Sequence, residues 1–178
     1  IGFVVPLISG LICLAALGVF LSGRLTPVER KLSLLLVGEL VACVICWFSL
    51  IVYATDATLF VKVKAPFYLC MLYAQVTTYH YVYTLTRTGR EVRFSAWHYI
   101  IPALFTVVFL VWSLRVPEDI KIAIAGSDGF YVREYGIFGF FFNSNRYVFL
   151  LSNLFYSVLS LRRIVRFKRE WAVPYTHL

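Results

Sequence analysis

The chain has 178 residues, of which 61% are hydrophobic, 18% aromatic and only 15% charged. A soluble domain carries charge on about a quarter of its residues, so there is too little polar surface here to cover a globule. An ordinary soluble enzyme domain, a disordered tail and a coiled coil are excluded, and the expected class is an all-α integral membrane bundle forming one domain over residues 1–178. The net charge of +8 is read as topology and anionic-lipid contact rather than as nucleic-acid binding.

The charge-free runs give about five spans. The first is predicted over residues 3–22, where Ile1 to Gly23 holds no Asp, Glu, Lys or Arg. It lacks the basic start of a cleaved signal peptide, and its Gly10 and Gly18 offer a surface for close helix approach. In the linker that follows, Thr26 can cap, Pro27 suits a first helical position, and Glu29 stands three residues after the cap.

The second span is predicted over 32–54 and contains a single acidic residue, Glu39. Asp56 to Lys64 reads as a short connection, and Pro66 as the opening of a third span over 65–87. A fourth is expected over 96–114, with Pro102 marking its first turn or a kink. Ile120–Ala125, a Gly/Asp turn at Gly126–Gly129 and Phe130–Tyr135 read as a short β-hairpin between the fourth and fifth helices. The fifth span, over 143–165, follows a stretch interrupted by Asn143, Asn145 and Arg146 and ends in a basic run.

Eleven of the 17 basic residues fall in three places, around Arg24, Arg30 and Lys31; Arg87, Arg90 and Arg93; and Arg162, Arg163, Arg166, Lys168 and Arg169. Alternate helix counting puts all three on one side, which the positive-inside rule makes the cytoplasm. The expected topology is therefore N-terminus out and C-terminus in. The Ile at position 1 and the semi-polar end Trp171–Leu178, which carries no turn signal, are read as signs of a longer polypeptide.

Glu39, about 10 Å inside the second span at ~1.5 Å per residue, and His80 of the third lie at matching depths, so a Glu39–His80 pair is expected. Ionisable groups in membrane helices usually face the bundle or a watery cavity. Glu39 is accordingly either a proton or cation site or a hydrogen-bonded packing residue, the latter favoured. Tyr73, Thr77, His80 and Thr84 recur at helical spacing and line either a polar pocket or, the favoured reading, a helix–helix interface. His80 and His98 do not make the facing histidine pair of a haem site. Cys13, Cys43, Cys46 and Cys70 sit in apolar runs without zinc-like spacing. No cofactor, metal or catalytic apparatus is expected, and so no enzyme.

Ala65-Pro66-Phe67-Tyr68-Leu69, the run to Tyr83-Thr84-Leu85-Thr86-Arg87, Arg93-Phe94 and Trp97-His98-Tyr99-Ile100-Ile101-Pro102 together resemble the membrane region of bacterial multi-helix sensors and regulators. That resemblance implies residence in the bacterial cytoplasmic membrane. It also implies an AraC-type helix-turn-helix or histidine-kinase output domain outside this chain, to which a stimulus is relayed. The basic run from Arg162 to Glu170 would continue as the signalling helix. The family often has more spans than five. Two other functions stay open: a small accessory subunit of a larger membrane complex, or a transporter or channel fragment using Glu39 and His80. Partners under these readings are the lipid bilayer and a membrane protein or a second copy of the chain.

Overall fold

The computed structural model describes residues 4–22, 27–87, 93–126 and 135–172, and within them every regular element is a helix. In chain order these are α1 (Val4–Ser22), α2 (Pro27–Thr55), α3 (Ala57–Leu85), α4 (Trp97–Ser113), α5 (Glu118–Gly126), α6 (Gly136–Asn143) and α7 (Asn145–Ala172). Pro27 takes the first position of α2, as its fixed φ and missing N–H favour. The Thr26 cap and Arg24 lie outside the described residues.

Leu32–Thr55, Ala57–Leu85 and Gly136–Glu170 are long and apolar enough to cross a membrane. Helix α4 has 17 residues, about 26 Å against a hydrocarbon core of about 30 Å. It passes the same length and composition test only jointly with α5, from which it is bent by 117°. The apolar stretch of α1, Val4–Val19, is likewise short. Among the described residues, length alone thus supports three crossings, or four with the bent pair, against the five expected.

Helices α2 and α3 form an antiparallel hairpin with a single residue between them. Asp56 stands in extended conformation (φ −148°, ψ 101°), and its carboxylate accepts the Leu59 N–H, satisfying one of the orphan donors of a helix start. This cap begins α3 nine residues before the predicted opening at Pro66, so the expected Asp56–Lys64 connection is helix instead. Pro66 lies within α3, where proline gives up its bond to the carbonyl one turn back and its ring crowds that carbonyl.

Helix α3 is the central element, packed against α2, α4, α5 and α7, while α1 packs on α2. Gly10 is the reason α1 comes so close: a Cβ there would sit 3.1 Å from the Phe48 ring. Gly18 faces open space and takes no part in that approach.

The buried apolar cluster lies at the Asp56 end of the bundle. Phe60 and Phe67 of α3, Phe109 of α4, Ile124 of α5, and Phe138 and Phe142 of α6 form its centre. Along α1, α4 and α7, large apolar side chains point outward, among them Ile12, Leu104, Leu151 and Leu161.

The expected β-hairpin is corrected in its first arm. Residues 118–126 are α5, begun by Pro117 and an acidic first turn, Glu118 and Asp119, that suits a helix N-terminus. Ile124 and Ala125 then bury against the cluster. Tertiary burial overrides the strand propensity of the isoleucines; the rest of the predicted hairpin, 127–134, lies outside the described residues.

Candidate functional site at the Thr86 end

Hydroxyl groups in an apolar helix first satisfy themselves on their own backbone. Thr77 donates to the carbonyls of Tyr73 and Ala74, and Thr84 to that of His80. Two members of the predicted stripe are thereby spent inside α3.

The other two reach α4. The Tyr73 hydroxyl donates to the Tyr99 carbonyl at 3.1 Å, and His80 Nδ1 lies 2.9 Å from the Tyr99 hydroxyl. Phe94 stacks on the His80 imidazole, with centroids 3.9 Å apart and planes 7° from parallel. His80 is thus held from two sides by the start of α4.

The expected Glu39–His80 pair is not what the structure contains. Glu39 engages Thr78, whose Oγ1 is 2.7 Å from the carboxylate and 2.8 Å from the Ala74 carbonyl. The reason is angular: at 3.6 residues per turn, Thr78 and His80 are about 200° apart around the helix. One therefore faces α2 and the other α4, so equal depth did not imply contact.

Helix α7 closes this end. His98 Nδ1 lies 3.2 Å from the Tyr156 hydroxyl, and Tyr79 packs against both rings. Two turns further along α7, Arg163 Nε donates to Thr86 Oγ1 at 3.1 Å and Nη2 to the Thr86 carbonyl at 3.4 Å. Its guanidinium stands 4.3 Å from the centre of the Tyr83 ring. Thr86 is the C-cap of α3, where carbonyls lack intrahelical donors and the helix dipole favours a cation.

Of the predicted basic residues, Arg87, Arg93, Arg162 and Arg166 are exposed at this same end, and Arg163 alone turns into the bundle. Arg166 pairs with Glu170 at 2.8 Å. Arg90 lies outside the described residues. A cleft of about 680 Å³ opens here beside Leu34, His80, Thr84, Arg87, Arg93 and Phe94.

Sequence reasoning missed Thr78, Tyr99, Tyr156 and the special role of Arg163. The signal for Arg163 was present: Arg162, Arg166 and Arg169 share a helix face, and Arg163 stands to its side. Among the described residues no three His, Cys, Asp or Glu side chains gather as metal ligands, and the four cysteines are free thiols.

Compared with protein-family models, characterised proteins and solved structures, the chain matches none.

Proposed function

We propose that the chain is a membrane-embedded sensor or signalling module that crosses the membrane five times, the short α1 and α4 included, with its N-terminus outside and its C-terminus in the cytoplasm, and that relays an outer or intramembrane stimulus through α7 to an output domain. The observation that supports this reading best is the Arg163 latch. It ties α7, just before its exposed basic stretch, to the last turn of α3, so a shift of α3 against α7 is passed on along a continuous helix. The charge layout supports the orientation: Arg87, Arg93 and the Arg162–Arg169 run lie at the Thr86 end, whereas Lys62, Lys64 and Arg146 lie at the Asp56 end. The outward apolar side chains of α1, α4 and α7 fit a lipid surround. Residence in a bacterial cytoplasmic membrane, and a helix-turn-helix or kinase partner, belong to the same proposal.

The test uses the gene with its natural flanking sequence. Arg163→Gln should alter the downstream output while membrane insertion stays normal, and Arg162→Gln, whose side chain is exposed, should alter neither. Unchanged output in both variants sinks the relay. Orientation is tested separately in a thiol-free background: a cysteine at Gly126 should react with an impermeant reagent added to intact cells, and one at Gly89 should not. The reverse pattern overturns the topology.

A further inference from the structure

Helix α7 packs on α3 and α6, and the α3–α7 seam is open along both flanks, which differ in chemistry. The flank toward α4 holds a groove of about 350 Å³ whose walls include Leu72, Ile101, Phe105, Leu151 and Phe155. The other flank lies on the side of α3 that carries Thr78. It holds a groove of about 270 Å³ in which Gln75 and Thr78 of α3 face Ser157 and Ser160 of α7. Lipid tails suit the first groove and not the second.

Depth makes the second groove unfavourable to leave open. Gln75 stands midway between Lys64 and Arg87, and Asn153 and Ser157 stand between Arg146 and Arg162. With α3 and α7 across the bilayer, all three lie near its middle, where no water is present to bond an amide. Thr78 is already engaged by Glu39 and the Ala74 carbonyl. On the outer face of α7, Ser157 donates to Asn153 Oδ1 at 3.2 Å, which occupies an acceptor of that amide and none of its donors. Among the described residues, the side-chain N–H groups of Gln75 and Asn153 donate to no other side chain or carbonyl.

Helical spacing gathers these groups on one surface. Asn153, Ser157 and Ser160 recur at i, i+4 and i+7 and form a single stripe along α7, with Gln75 beside it on α3. Small serines let another backbone come close, and amides and hydroxyls are the groups that bond between helices in a membrane. Only 6% of the apolar stretch of Gly136–Glu170 is buried within the chain, against 39% of that of Ala57–Leu85, so α7 has surface to receive a further helix.

That helix must bring both donors and acceptors to the middle of the bilayer. A second copy of this chain does so by symmetry: a two-fold axis along the membrane normal sets each residue opposite its own counterpart at its own depth. An amide carries donors and an acceptor and therefore bonds its counterpart, where a like charge would repel it. Between Arg146 and Arg162, α7 has no charged residue, so nothing on the stripe opposes the pairing.

We propose that the chain forms a two-fold homodimer in the membrane through this groove, with Asn153 and Ser157 of α7 nearest the axis and Gln75 of α3 beside them. The proposal rests on the membrane placement of α3 and α7 given above, and is independent of the relay and of any output domain.

The test uses the full chain carrying one fluorophore, reconstituted in phosphatidylcholine liposomes at decreasing protein-to-lipid ratio. Insertion is checked by resistance to alkaline extraction, and dimers are counted by single-molecule photobleaching. The parent should pass reversibly from dimer to monomer on dilution. Asn153→Leu and Gln75→Leu should each insert normally and raise the mole fraction at half-dissociation by roughly three- to twentyfold, the range for hydrogen bonds between membrane helices. Ser152→Ala, in the groove toward α4, should leave it unchanged. In a thiol-free background, Ser157→Cys should cross-link to its own copy under oxidation in native membranes, and Leu104→Cys, on the outward face of α4, should not. An inserted chain that stays monomeric at every ratio, a dimer undiminished in both leucine variants, or cross-linking through Leu104→Cys and not through Ser157→Cys overturns the proposal. A chain that fails to insert overturns the membrane reading itself, and the dimer with it.

Discussion

At the Asp56 end, Phe60, Phe109, Phe138 and Phe142 fill a buried cluster contributed by α3, α4 and α6, where Phe109 meets Phe138 and Phe142 ring to ring and the one ammonium, that of Lys64, lies over Phe60 and Phe142. At the Thr86 end, Tyr79, Tyr83, His98, Tyr99 and Tyr156 are half-buried, and contacts between helices run through hydroxyls, imidazoles and a guanidinium. Both ends are aromatic. What differs is the heteroatom, and it changes what each end can do: phenylalanine contacts fix volume, whereas tyrosine and histidine contacts fix direction and can be exchanged for others at small cost. The Asp56 end is built to hold a shape. The Thr86 end is built to register the relative position of α3, α4 and α7.

The largest test of this contrast is truncation of a ring at each end. Phe142 is fully buried, and Phe142→Ala should destabilise the protein by about 3–5 kcal/mol. Phe94→Ala removes the ring stacked on His80 at a half-buried site and should cost about 0.5–1.5 kcal/mol. Equilibrium unfolding in mixed micelles measures both, and equal losses would erase the distinction.

Next in size is the latch. Arg163→Ala loses two charge-assisted hydrogen bonds to Thr86 and the Tyr83 face, for an expected loss of about 1.5 kcal/mol. Arg162→Ala should stay within about 0.5 kcal/mol of the parent. If the two arginines prove equivalent, α7 is not fastened where the geometry places it.

The Glu39 contact is smaller and more specific. A double-mutant cycle of Glu39→Ala with Thr78→Ala should give a coupling of about 0.6 kcal/mol, the average for hydrogen bonds between membrane helices. The cycle of Glu39→Ala with His80→Ala should be additive within about 0.3–0.5 kcal/mol. Glu39→Gln, whose amide can donate to Thr78, should be nearly silent. Coupling to His80 and not to Thr78 would restore the pairing expected from depth alone.

The smallest effect belongs to the Lys62–Glu118 ion pair, 3.4 Å long and more than half exposed on the lysine side. Its removal by Lys62→Ala should cost about 0–1 kcal/mol and less at high salt, as read from unfolding midpoints at two ionic strengths.

Much of this architecture was legible in the chain before any coordinates. Helices were marked by charge-free runs of spanning length, α2 by Pro27 at its start, and α7 by the apolar stretch running into Arg162–Arg169. The basic residues were legible as one end of the bundle because every span reverses the chain. Less legible were the ends of α3 and the nature of α5. Pro66 looked like a beginning, but Asp56 had already capped the helix. Alternating isoleucines looked like a strand, but Ile124 and Ala125 found a buried site that a helix fills. At the candidate site, the residue types on α3 were visible from their spacing, whereas their partners were not.

Composition and periodicity determined that this protein is a set of apolar helices with eleven of its 17 basic residues in three clusters, because both follow from local chain chemistry: backbone groups must bond within each helix where water is absent, and apolar length sets what can span. Only the tertiary structure decided which side chains meet. Depth along a helix is set by residue number, but contact also needs the rotation of each helix about its axis and its tilt against its neighbours, and these are fixed by packing across the whole bundle. That is why Glu39 meets Thr78 and not His80, why Arg163 alone of its cluster turns inward, and why Gln75 and Ser157, from separate helices, line one groove.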